Sequence, residues 1–128
     1  MTEPIPDWWV KALADFGAGM GFRDADSWCT DVLNLSVNDG RQCLIDIERC
    51  GDEIVLAVLC RAPRPEVREK ALFLLRRCGV ESYLPFVVQV GLKGDDVLVL
   101  AARIGRAEAY RMQNAFELLL ALVADAGL

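Results

Sequence analysis

At 128 residues the chain suits one compact domain, expected to span residues 1–128. Its 54% hydrophobic content and mean hydropathy of +0.27 are high for that size. A small domain has much surface for its volume, so more apolar surface is expected than one copy can enclose. A net charge of −5 and a pI near 4.7 argue against general nucleic-acid binding, and no apolar run is long and uncharged enough for a membrane span.

In chain order, Pro4 and Pro6 precede a helical pattern. Asp7 is the expected N-cap and Trp8 to Met20 the helix. Trp9, Leu13, Phe16 and Met20 recur at helical spacing on one face, widened by Trp8 and Ala12. Gly21 stands where a left-handed residue would end the helix. The segment "FGAGMGF", Phe16 to Phe22, has three glycines but closes a helix rather than opening one. Phosphate loops follow a strand and precede a helix, so a nucleotide site is not expected. Glycine costs about 1 kcal/mol of helix propensity relative to alanine. Gly17 and Gly19 are therefore expected to admit a neighbouring backbone or a large side chain.

Residues 23–30 form a polar link, with Asp24, Asp26 and Asp31 read as part of a polar loop rather than an acid site. Alternation then begins. Leu33, Leu35 and Val37 share one face of a first strand, and "NDG" at Asn38–Gly40 signals a turn. Cys43, Ile45 and Ile47 share one face of a second strand. "EIVLAVLC" is a third, apolar on both faces and so expected to be central or covered on both sides. Pro65 suits a helix start, and Glu66 to Cys78 continues that helix with Val67, Ala71, Leu74, Leu75 and Cys78 as its stripe. "YLPFVVQVGL" reads as a fourth strand interrupted near Pro85, and "VLVLAARI" as a fifth, again apolar on both faces. From about Arg106 a last helix carries Met112, Phe116, Leu119, Leu120 and Val123 on one side. The order α-β-β-β-α-β-β-α implies an α+β fold, an antiparallel sheet backed by helices.

The chain has no histidine, which removes Ser-His and Cys-His nucleophile systems. Its five cysteines, Cys29, Cys43, Cys50, Cys60 and Cys78, contain no C-x-x-C pair. Metal and cofactor sites are not expected, and a reducing cytoplasm is the simplest setting. The basic residues Arg61, Arg64, Arg68, Lys70, Arg76 and Arg77 are expected on a solvated helix face. Trp8, Trp9, Phe16 and Met20 admit two readings, packing on their own sheet or docking a partner.

Two stretches carry a family resemblance. "LADFGAGMGF" resembles the first-helix pattern of the class I type III secretion chaperones, the Tir chaperone-like family. "VLNLSVNDGRQCLIDIE" resembles that family's first hairpin. Element order, length and acidity agree across nearly the whole chain. Departures are the polar link over 23–31 and the apolar tail "FELLLALVADAGL", which looks more like chaperones of the secretion gatekeeper protein.

The resemblance implies a non-enzymatic, cytoplasmic bacterial protein of dimeric secretion-chaperone-like fold. It would bind an extended N-terminal segment of a secreted effector or gatekeeper and keep it export-competent, without cofactors, nucleic acid or membrane. The expected client contacts are Trp8, Trp9, Leu33, Leu35, Ile45 and Ile47. The expected dimer contacts are Val67, Ala71, Leu74, Leu75 and Val88. A homodimer is implied, with a heterodimer of similar small chaperones known in the gatekeeper group. The competing reading is a structural or regulatory subunit of a small folded heterodimer that binds no client segment.

Overall fold

The computed structural model describes residues 4–22, 28, 30–38, 42–79 and 83–128. The expected polar link over 23–27 with Asp24 and Asp26, the hairpin tip at Asp39–Gly40 and Cys29 lie outside the described residues. The elements are α1 (Asp7–Gly19), β1 (Val32–Asn38), β2 (Gln42–Cys50), β3 (Glu53–Arg61), α2 (Arg64–Arg77), β4 (Val88–Lys93), β5 (Val97–Gly105) and α3 (Met112–Asp125). A 3-10 helix, Arg106–Arg111, joins β5 to α3. The fold is α+β in the expected order.

The five strands form one antiparallel sheet in the order β1-β2-β3-β5-β4. β3 and β4 both run antiparallel to β5, so they are parallel to each other, and α2 is the crossover between them. Register places opposite residues on the same face. Leu33 and Leu35 of β1 stand opposite Ile47 and Ile45 of β2, which stand opposite Leu56 and Val58 of β3. Those in turn oppose Ala102 and Leu100 of β5, and Val88 and Val90 of β4 complete the row.

All three helices lie over this face. α3 lies across β3 and β5, α1 runs beside α3, and α2 packs on β4 and β5. Trp9, Leu13, Phe16, Phe116, Leu119 and Val123 close the core, with Phe16 and Phe116 edge to face at 5.6 Å. Among the described residues no polar or charged side chain is buried.

The opposite face carries no helix among the described residues. β3 and β5 are central by position, as their apolar runs predicted, but they are not covered on both sides. Val55, Ala57, Leu59, Val97, Val99 and Ala101 are only half-buried there. They shield one another laterally, because each strand has a neighbour on both sides.

Helix ends differ from expectation in detail. Pro6, not Asp7, is the N-cap of α1, and Asp7 sits in the first turn, where its charge faces the positive end of the helix dipole. Gly21 does stop the helix. It takes φ +85°, its N–H donates to the Ala18 carbonyl, and the Phe22 N–H donates to the Gly17 carbonyl. These two bonds are the Schellman arrangement, which an L side chain at position 21 would strain.

A Cβ at Gly19 would meet only the side-chain amide of Gln113 on α3, the movable end of a flexible side chain, so the packing there does not require glycine. β4 begins at Val88 rather than near residue 83, because bends at Pro85 and Phe86 precede it. α3 begins at Met112 rather than near Arg106, because Glu108 has non-helical angles inside the 3-10 segment.

Phe116 is wholly buried and holds α3 to α1. Phe116→Ala is expected to lower unfolding free energy by about 3–5 kcal/mol, read as a lower urea midpoint at unchanged slope.

Candidate protein-binding site

Two surfaces stand out once the core is accounted for. The first lies where α1 meets the β1 edge. The Trp9 indole N–H donates to the Thr30 carbonyl at 2.6 Å, tying the start of α1 to the approach of β1. Asp31 then pairs with Arg49 at 2.7 Å and accepts its backbone N–H at 2.9 Å, which fixes β1 on β2. Asp31 is therefore part of the frame.

β1 is an edge strand, so one side of its backbone carries no strand partner among the described residues. Leu33 and Leu35 point to the core face yet stay half-buried, because the sheet ends beside them. An unpaired edge flanked by half-covered leucines is the geometry that accepts an added extended segment.

Separately, α1, the 3-10 helix and the start of α3 enclose a groove of about 280 Å³ lined by Trp8, Lys11, Asp15, Phe16, Arg106 and Tyr110, among others. The Arg106 guanidinium lies 5.4 Å from the Trp8 ring centroid, so the mouth of the groove is aromatic and cationic together.

The second surface is α2 with β4. The run "ALFLL", residues 71–75, has more apolar side chains than one helix face can bury. Leu74 turns inward and is fully buried, while Leu72, Phe73 and Leu75 face out, Leu75 at 52% exposure. Leu92, at 55%, is exposed on the helix-covered face of the second edge strand, whereas Val87, at 84%, lies on the helix-free face with Val55 and Ala101.

The basic residues of this region do not act as one patch. Arg61 pairs with Asp96 at 3.3 Å and Arg64 approaches Asp95 at 3.9 Å. Lys70 Nζ donates to the carbonyls of Ala126 and Gly127 at 2.9 and 3.0 Å, capping the negative end of α3.

The expected contact residues divide. Trp9, Ile45 and Ile47 are buried in the core of their own chain, whereas Trp8, Leu33 and Leu35 are half-buried at its margin. Val67, Leu74 and Val88 are likewise core residues, Ala71 is half-buried, and Leu75 is exposed. Periodicity located the apolar stripes but not the surplus. Leu72, Phe73, Val87 and Leu92 were missed, although five consecutive apolar residues on a helix were the visible signal for the first two.

Catalytic and metal chemistry has little to build on among the described residues. They bring together no group of three or more Cys, Asp or Glu able to hold a metal. Burial pushes the Cys78 thiol up, against an opposing pull from the Arg77 guanidinium, which disfavours a reactive thiolate there. No helix of the described residues is long and apolar enough to cross a membrane.

No protein-family profile matches the chain, and no curated protein matches it. Solved structures that share its fold include the following two. The Yersinia pestis type III secretion chaperone SycH, solved in complex with a stable fragment of YscM2, superposes with a TM-score of 0.59 at 17% identity, over 92% of this chain and 96% of that one. YbjN of E. coli, a candidate transcription regulator, superposes with a TM-score of 0.62 at 14% identity, over 98% of this chain and 95% of that one. At these identities the likeness is one of fold.

The two adjacent tryptophans differ in role, which is testable. Trp9→Phe removes the bond to the Thr30 carbonyl and is expected to cost about 1–2 kcal/mol of stability. Trp8→Phe keeps a ring under Arg106 and is expected to change stability by less than about 0.5 kcal/mol. Urea unfolding of both variants measures the contrast.

Proposed function

We propose that the chain is a non-enzymatic, protein-binding module of the secretion-chaperone type. It takes up an extended segment of a secreted effector or gatekeeper protein along β1 and the α1 groove, and keeps that segment unfolded for export. It pairs with a second copy, or with a similar small chain, through α2 and β4. The observation that carries this reading is the β1 edge, where an unpaired backbone meets the half-buried Leu33 and Leu35. An added strand would satisfy its own backbone there and set alternate side chains over the two leucines. That SycH is known in complex with a fragment of another protein supports the reading.

The pairing surface rests on surplus apolar area. Leu72, Phe73, Leu75 and Leu92 are all exposed in the single chain. Fully covering one such side chain is worth roughly 1.5–3 kcal/mol. Each is already about half covered, so completing the cover of all four is worth on the order of 5 kcal/mol. Leu74→Asp would disturb the chain's own core, so Leu75→Asp is the informative variant. It is expected to yield a folded monomer by light scattering and circular dichroism. An unchanged dimer would place the interface elsewhere.

The second reading, a structural or regulatory subunit that binds no extended segment, draws on YbjN, which has the same fold under a different description. Protease digestion of the complex formed with proteins of its own cell separates the two. The chaperone reading expects a protected N-terminal fragment of one partner, lost in Leu35→Asp while the far-ultraviolet spectrum stays unchanged. Recovery of an intact folded partner, insensitive to Leu35→Asp, would favour the second reading.

A further inference from the structure

Cys43 near the start of β2 and Cys60 near the end of β3 are directly opposite in register. Both side chains lie on the core face and both residues are almost fully buried, at 3% and 2% exposure. Their sulfurs are 2.7 Å apart. Opposite residues on antiparallel strands have Cα atoms about 4.5–5.5 Å apart, inside the span of about 4.4–6.8 Å that a disulfide bridges. The Cα spacing of such a register pair is therefore compatible with a disulfide. The pair also lines a cavity of about 400 Å³ together with Arg61, Pro63, Arg64 and Leu128. That space admits a small oxidant, while burial keeps larger reagents away.

We propose that Cys43 and Cys60 are a modification site, an oxidisable pair that closes into a reversible cross-strand disulfide under peroxide. One thiol sulfur attacks hydrogen peroxide as its proton passes to the departing oxygen, the O–O bond breaks, and a sulfenic acid and water form. The second thiol then attacks the sulfenic sulfur, the S–O bond breaks, and the S–S bond forms with release of a second water. Two thiols and one peroxide give one disulfide and two waters, and an added dithiol reverses the step by exchange. The bond would fasten β2 to β3 and leave the outer faces of α2 and β4 untouched. It does not depend on the partner-binding reading.

The test uses the full chain carrying Cys29→Ser, Cys50→Ser and Cys78→Ser, so that only the pair remains. After treatment with hydrogen peroxide and unfolding, titratable thiols are expected to fall from two per chain to none. The protein should stay monomeric on a non-reducing gel, and dithiothreitol should restore both thiols. Thiols that persist, links between chains, or oxidation to sulfinic acid would overturn the proposal.

Should the triple variant not fold, the unmodified chain serves. Trypsin after peroxide and alkylation should release Gln42–Arg49 joined to Cys50–Arg61, with fragmentation placing the bond between Cys43 and Cys60. A bond from Cys43 to Cys50, or no joined peptide, would also overturn it.

Discussion

A five-stranded sheet has two faces to cover, and this chain places all three of its helices on one of them. That one-sided arrangement governs much of the rest. It concentrates the large side chains of α1 and α3 into a single core around Trp9, Phe16 and Phe116. The strand order leaves β1 and β4 as the edges of the sheet. The two surfaces with binding character lie at those margins. At each, the sheet stops before the apolar stripe does, so leucines that point toward the core remain partly uncovered.

Much of this organisation was legible in the sequence. The spacing of Trp9, Leu13 and Phe16 marked α1, and the alternation around Leu33–Leu35 and Ile45–Ile47 marked the first hairpin and the shared face of its strands. The stop at Gly21 was readable because a left-handed residue favours glycine. The start of β4 was less so, since apolar content over 83–87 looks strand-like while the bends at Pro85 and Phe86 postpone the ladder. The 3-10 segment after β5 carries alanines and charges that would suit an α-helix equally well.

Which apolar residues would be surplus was the hardest part. Ile45 and Leu33 look alike in one dimension. They differ because β2 is flanked on both sides and β1 on one, a fact of strand order that alternation does not contain. The same holds for Leu74 and Leu75, adjacent in the chain and on opposite sides of α2. Burial of a stripe residue depends on what lies across from it, and only the crossover of α2 toward β4 decides that. SycH and YbjN have this fold under different descriptions, so the architecture alone does not assign a function.

The position of β5 between β3 and β4 bears on how the protein is made. Two of the four strand pairings, β3 with β5 and β4 with β5, wait for the same late segment. During synthesis the first three strands can zip up as soon as they emerge, because their turns are local. α2 and β4 then have no completed sheet to settle on until residue 105 has cleared the ribosome. For that interval Leu74 and Val88, later sealed inside, are open to solvent. The core faces of α2 and β4 thus stay uncovered until β5 joins them, and α3, which follows β5 in the chain, then covers β3 and β5.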